Sequence, residues 1–174
     1  MRMAGLATFG LTLLNTQNVL GNVFESKRDD LQYHPSSPET NDLRKSGYNV
    51  PAVSVQGVIY DKDSMQELSN VKVEVWHLSP DSEEVSYRAH FFTATNGSYQ
   101  FITDFPGHAP RLKPRIFFRL SNGKKERFSE LIFDTHFAYL NNEQWEHNKS
   151  NLAQLTPKLS KKLGIFSIQN HQTL

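Results

Sequence analysis

The sequence predicts an all-β protein, a single antiparallel β-sandwich with an extended N-terminal arm and a mostly irregular C-terminal tail. Short segments between positions 53 and 133 alternate apolar with polar side chains and are rich in β-branched and aromatic residues. Turn-forming residues separate these segments at short and regular intervals, as in known sandwiches. The intervals leave no room for the helical crossovers that a parallel sheet needs.

The alternation places each strand in order. The clearest signal is Val71, Val73 and Val75, which alternate with polar residues and Trp76. The dipeptide Asn96-Gly97 accepts positive φ and therefore predicts a tight hairpin. The predicted strands cover residues 53–59, 71–76, 87–94, 98–102, 115–120 and 127–133, with a further short strand at 164–168.

The two ends of the chain differ from this core in composition. Residues 1–21 carry a basic residue, Arg2, near their start and continue with the mostly apolar run 4–14. This is the outline of a secretory signal peptide, which favours export to the periplasm or outside the cell over a cytoplasmic location. Residues 22–52 are polar and predict an extended arm, which is a candidate contact for a homo-oligomer. The core is predicted at 53–140, and 141–174 is predicted to be a tail that packs on or near it. The lysine-rich run 158–162 is interpreted as solvated tail.

Composition excludes several classes of function. The net charge of the 174 residues is +1, so no electrostatic footprint for nucleic acid is present. The chain has no cysteine, which excludes disulfides, thiolate metal sites and cysteine nucleophiles. No apolar run is long enough to predict a membrane-spanning helix. The sequence also lacks a glycine-rich phosphate loop, an H-E-x-x-H motif and a nucleophile elbow.

Four segments, in order, resemble the core of the intradiol ring-cleavage dioxygenases. The first is G-V-I-Y-D at 57–61 followed by V-E-V-W at 73–76, where the family has G-x-V-x-D and V-E-V-W strands. The second is T-N-G-S-Y-Q-F at 95–101, with F-P-G at 105–107 in the place of the family's P-G turn. The third is K-P-R-I-F-F at 113–118, where the family reads R-P-A-H-I-H-F. The fourth is S-E-L-I-F at 129–133, where the family has T-Q-L-Y-F.

This resemblance implies a β-sandwich of the intradiol dioxygenase or prealbumin-like type, and a specific chemistry. Members of the family hold a ferric ion with two tyrosinates and two histidines and cleave a catechol between its hydroxyls. Phenolate oxygens stabilise the ferric state, and the metal polarises the bound catecholate for attack by dioxygen.

Only one of the four ligand positions that the resemblance identifies retains its ligand. Tyr87 is the counterpart of the first tyrosine, although the loop before it is longer than in the family. Ala109 stands at the second tyrosine position, and Arg115 and Phe117 stand at the two histidine positions. Phenylalanine has no donor atom, and a guanidinium is a permanent cation that repels a metal ion.

Other residues offer alternatives at this site. A rebuilt Fe(III) site would use Tyr87 with His90 and His108 as substitutes, and His77, His136 and Asp134 also fall near these segments. Arg115 binds an anionic ligand, pairs with Glu130 across strands, or lies on a sheet face that is exposed to solvent. Trp76 and Phe117 are either core residues or a stacking site for a ring or sugar.

The leading hypothesis is therefore a non-catalytic binding or interaction module, without a cofactor, whose partner is a small molecule or a protein. One alternative is an active catechol-type dioxygenase with a relocated iron site. Another is a sandwich of the transthyretin or carboxypeptidase-regulatory type, which shares the fold alone.

Overall fold

The computed structural model of the chain describes residues 33–45, 49–110, 112–134, 138–162 and 164–174. The predicted signal peptide at 1–21 lies outside the described residues, as does most of the predicted arm. Within the described residues, period-two alternation of apolar side chains produces ten strands. These are β1 (Ala52–Tyr60), β2 (Lys72–Leu78), β3 (Val85–Phe92), β4 (Ser98–Asp104), β5 (Arg115–Ser121), β6 (Glu126–Phe133), β7 (Ala138–Tyr139), β8 (Lys158–Lys162), β9 (Ile165–Gln169) and β10 (Gln172–Thr173).

The strands form two sheets. Sheet I has the order β3-β2-β5-β6-β7 and is antiparallel throughout. Sheet II has the order β4-β1-β9-β8, with β10 beside the last residues of β1. In sheet II, β4 is antiparallel to β1, whereas β9 and β10 are parallel to it. Two short helices, α1 (Asn142–His147) and α2 (Leu152–Leu155), follow β7 and are separated by a 3₁₀ turn at Lys149–Asn151.

The inner faces of the two sheets form the hydrophobic core. Phe118 of sheet I meets Phe101 of sheet II edge to face, with ring centroids 6.0 Å apart. Val55 and Ile168 of sheet II and Ile116 of sheet I are completely buried between the layers. The predicted all-β sandwich is therefore confirmed.

The described end of the arm crosses the open side of the sandwich. Glu39 bridges to His90 on β3 of sheet I, and Asp42 bridges to Ile102 on β4 of sheet II. Leu43, the residue after the second of these contacts, is buried in the core. These residues pack on their own sandwich, and an oligomer formed through the arm stays a prediction.

The turn at Asn96-Gly97 forms, but it does not join paired strands. Gly97 has a φ of 67°, and its N–H donates to the Ala94 carbonyl. Strands β3 and β4, however, belong to different sheets, so the predicted hairpin is wrong. Just after β3, the Thr93 hydroxyl accepts the Val71 N–H and donates to the Leu68 carbonyl, and beyond this residue the chain leaves sheet I for sheet II.

The C-terminal residues complete sheet II. The run 158–162, interpreted from sequence as solvated tail, is the edge strand β8, and β9 pairs with β1. Ile168 of β9 is fully buried, and the last residue, Leu174, joins the core. Lysines are common on edge strands, where they discourage pairing with other chains, and here they hide the apolar alternation. Among the described residues, no helix combines the length and the apolar character needed to cross a bilayer.

The first glycine of the family-like segment allows a close backbone approach. A Cβ on Gly57 would lie 2.0 Å from the Asn170 carbonyl oxygen. That carbonyl also accepts the Tyr99 hydroxyl at 2.6 Å, so it cannot move away without losing a buried hydrogen bond. The glycine therefore permits the connection between β9 and β10 to pack against β1.

We expect Gly57→Ala to lower the free energy of unfolding by about 2–3 kcal/mol, because the methyl group overlaps backbone atoms. Urea denaturation measures the loss. Gly123→Ala is the matched control, since Gly123 has open space around it and a φ of 81°. The control should cost about 1 kcal/mol, from backbone conformation alone. Equal losses in the two variants would contradict the close-approach explanation.

Candidate functional site

The two sides of strand β2 separate the predicted site residues. His77 points into the sandwich and stacks on Tyr87 of β3, with ring centroids 4.4 Å apart. Trp76 points the opposite way and stacks on Phe117 of β5 at 5.6 Å. Successive side chains of a strand face opposite sides of its sheet. Tyr87 thus lies on the inner face of sheet I, whereas Phe117 and Arg115 lie on the outer face, and the structure does not bring these three predicted positions together.

The hydroxyl of Tyr87 has a buried partner. It donates to Asp104 Oδ2 at 2.7 Å, and the same oxygen accepts the backbone N–H of Lys45 at 2.9 Å. The Lys45 ammonium lies 4.6 Å from the centre of the Tyr87 ring and donates to the Ser86 carbonyl at 2.7 Å. Ser86 is the bulged residue of β3, since His77 pairs with Tyr87 but Leu78 pairs with Val85. Tyr87 therefore ties the arm to the sandwich.

His77 is fully buried beside Tyr87, and both of its ring nitrogens have partners. Nδ1 lies 2.7 Å from the Leu78 carbonyl, which only accepts, so Nδ1 carries the proton. Nε2 then accepts from the Thr103 hydroxyl at 2.7 Å. Burial lowers the pKa of His77 to about 4, against the opposing effects of the Leu78 carbonyl and Asp104. The ring is therefore neutral near pH 7.

On the outer face of sheet I, an ion pair occupies the first of the two predicted histidine positions. Arg115 donates to Glu130 Oε2 at 2.7 Å. This cross-strand pair is one of the roles that the sequence predicted for Arg115. The other oxygen of Glu130 accepts from Asn141 Nδ2 at 2.5 Å. Asn141 also forms the capping box of helix α1 with Gln144. The guanidinium is thus linked to the start of α1 through one carboxylate.

Aromatic rings and a second ion-pair cluster continue this face. Phe128 meets the edge of Trp76 at 6.3 Å, and Trp76 is only 3% exposed. One row further along, Arg119 pairs with both Glu74 and Glu126. The outer face therefore consists of stacked rings between paired charges.

The substitute ligands proposed from sequence are dispersed. His90 lies on the outer face of β3, three residues from the inward Tyr87, and its Nδ1 is 2.9 Å from the Ser37 carbonyl. His108 is exposed and Ala109 half-buried in the loop after β4. Asp134 pairs with Lys113, and His136 lies outside the described residues. In the described part of the chain, no three His, Cys, Asp or Glu side chains group closely enough to hold a metal ion.

The donor set of a ferric dioxygenase therefore does not fit the described residues. Arg115 and Phe117 supply no lone pair, and Tyr87 is held on the other side of the sheet. Sequence reasoning missed Lys45, Thr103 and Asp104, which surround the inward Tyr87 and His77. The Thr103-Asp104 pair at the end of an apolar strand was the one available signal, because buried polar residues require partners.

Comparison with known proteins agrees with the fold. No protein-family model matches the chain, and neither does any curated protein sequence. Among solved structures, a dioxygenase domain from the cellulolytic bacterium Streptomyces sp. SirexAA-E is 19% identical with a TM-score of 0.63, over 82% of this chain and 91% of that one. An intradiol ring-cleavage dioxygenase from Tetranychus urticae is 15% identical with a TM-score of 0.61, over 81% and 88%.

A catechol 1,2-dioxygenase from Acinetobacter sp. ADP1 is also similar, with 15% identity and a TM-score of 0.58 over 90% of this chain and 68% of that one. At these identities the likeness concerns the fold. The resemblance to intradiol dioxygenases that the sequence motifs indicated is thus supported at the level of three-dimensional structure.

The buried His77 predicts acid sensitivity. Its pKa is about 4 in the folded protein against 6.5 for an unperturbed histidine, so between these values the unfolded state binds more protons. The contribution of His77 to the free energy of unfolding is therefore complete above pH 6.5. It falls by up to about 3 kcal/mol as the pH drops toward 4. Urea denaturation across this range measures the slope.

The slope should be shallower in His77→Gln, whose amide does not titrate. Burial also lowers the pKa of His147 to about 4, so His147→Gln is the comparison that separates the two contributions. An unchanged slope in His77→Gln would show that the acid sensitivity arises elsewhere.

Proposed function

We propose that this chain is a non-catalytic binding or interaction module built on the intradiol dioxygenase fold. One observation carries the proposal. The two strand positions at which the family presents histidines to its metal hold Arg115, paired with Glu130, and Phe117, stacked on Trp76. Both side chains are already engaged within the chain, and neither chemical type ligates a metal.

Electrostatics at this face supports the proposal. A ferric ion placed here would meet the fixed positive charge of Arg115, and Glu130 is committed to both Arg115 and Asn141. Removing one partner of such a network leaves the other polar groups unsatisfied, which is costly where they are largely buried. Only 19% of the Arg115 side chain and 15% of the Glu130 side chain are exposed.

The surroundings of Tyr87 support it as well. To ligate a metal on the outer face, the tyrosine would have to leave Asp104 and His77 and cross the sheet. A shift of β3 by one residue would achieve this, but it would also turn Ala89 and Phe91 out of the core. The one retained tyrosine therefore acts as a structural residue in this proposal.

Iron loading tests the proposal directly. The full-length protein is purified, incubated with ferric ion and desalted, and its iron content, visible spectrum and catechol-dependent oxygen uptake are measured. We expect substoichiometric iron, no tyrosinate-to-iron charge-transfer band and no oxygen uptake. Restoring both histidines, as Arg115→His with Phe117→His, should not create the band, because Tyr87 remains on the inner face.

A coloured protein with one iron per chain would overturn the proposal if the band disappears in Tyr87→Phe. Tyr139→Phe serves as the matched control, since Tyr139 is a half-buried tyrosine on β7 at the far side of sheet I. Loss of colour in Tyr87→Phe alone, with oxygen uptake on catechol, would establish an active enzyme with a relocated site.

A further inference from the structure

A large groove lies on the outer face of sheet II and reaches the β3 edge of sheet I. Its volume is about 860 Å³, and none of its lining residues belongs to the outer-face cluster of sheet I around Trp76. The outer face of sheet II forms its floor, and arm residues 39–41 contribute to one wall. Because the arm is hydrogen-bonded to β3 and β4, this wall is part of the folded structure.

Three glutamines form a continuous row across the floor. Gln56 on β1 lies directly opposite Gln100 on β4 and opposite Gln169 on β9. All three are exposed, and none of their amides has a hydrogen-bond partner within the described part of the chain. Adjacent strands are about 4.8 Å apart, so the row presents three amides over about 10 Å. Each amide offers two donors and an acceptor in one plane.

An apolar surface borders the row. Phe92, on β3, is 46% exposed and lines the groove together with the half-exposed Val58. His171 completes this border, and its Nδ1 accepts the Val58 N–H at 3.2 Å, which leaves the proton on Nε2, available to donate. A flat aromatic ring beside planar hydrogen-bonding groups suits a ligand with an apolar face and a polar edge.

The groove carries almost no charge, which favours a neutral ligand over an ionic one. Its lining includes no lysine or arginine and a single carboxylate, Glu39, whose side chain is 71% exposed and lies 3.9 Å from His90. Vicinal hydroxyls of a sugar both donate and accept, which matches a row of neutral amides, and the C–H face of a pyranose matches an exposed phenyl ring. The span of the row is comparable to that of a disaccharide unit.

We propose that this groove binds a neutral oligosaccharide, with the Gln100–Gln56–Gln169 row contacting the hydroxyls and Phe92 contacting a pyranose face. The site does not involve Arg115, Phe117 or Tyr87. Oligosaccharide binding at this groove is therefore independent of whether the chain binds iron.

Titration calorimetry of the full-length protein with defined hexasaccharides tests the proposal, using cellohexaose, xylohexaose, laminarihexaose, mannohexaose and chitohexaose. We expect at least one to bind. Gln56→Ala, at the centre of the row, and Phe92→Ala should each weaken that binding by about tenfold, the effect of removing one well-placed contact. Gln154→Ala is the matched control, because Gln154 is an exposed glutamine on helix α2 outside the groove, and it should leave the affinity unchanged.

Three outcomes would overturn the proposal. One is the absence of binding by all five sugars at millimolar concentration while circular dichroism shows a folded protein. The second is binding that Gln56→Ala and Phe92→Ala leave unchanged. The third is a dimer in sedimentation experiments that Gln56→Ala dissociates, which would make the glutamine row an interface between two copies of the chain. Iron loading bears on none of these results, so failure here leaves the proposed function as it stands.

Discussion

The period-two alternation of side chains along β2 and its neighbours determines what this sandwich presents on each face. Val73 and Val75 fill the core, and the residues that follow each of them, Glu74 and Trp76, must therefore face outward. The same parity carries across the ladder to β5, where Phe118 is buried and Phe117 stacks on Trp76. Because the core residues fix the register, no residue can change faces unless a whole strand shifts.

The arm depends on a second constraint, the need of buried polar groups for partners. His77, Thr103 and Asp104 all lie in the interior with almost no exposure. Asp104 accepts hydrogen bonds from the Tyr87 hydroxyl and from the backbone N–H of Lys45. The arm thus supplies one of the hydrogen bonds that offset the free-energy cost of burying this carboxylate. The bulge at Ser86 leaves its carbonyl outside the β2–β3 ladder, and this carbonyl accepts a hydrogen bond from the Lys45 ammonium. The arm is consequently part of the folded unit.

Parity also explains which parts of the structure the sequence predicted. Strands β1, β2 and β5 follow clean alternation, and their faces were predictable from Val55, Val75 and Phe118 alone. The face of Tyr87 was not predictable. The loop of six residues between β2 and β3 and the bulge at Ser86 interrupt the inward–outward alternation that could otherwise be followed from Trp76. β8 was missed because its lysines obscure the pattern. The pairing of β9 with β1 depends on contacts far apart in sequence, which no local signal reports.

The two outer faces of the sandwich differ in how much free energy they can offer a ligand. On sheet I, Arg115 is paired with Glu130 and Arg119 with Glu74, so a ligand of these groups would gain only by breaking existing ion pairs. On sheet II the amides of Gln56, Gln100 and Gln169 have no hydrogen-bond partner among the described residues, so a ligand that binds them breaks no protein contact. Such rigid strand positions also keep their side chains in register at little entropic cost. The fold therefore leaves amides without a partner among the described residues on the outer face of sheet II, whereas the sheet I positions that correspond to the family's histidines are engaged within the chain, and a ligand gains most where no protein contact has to be broken.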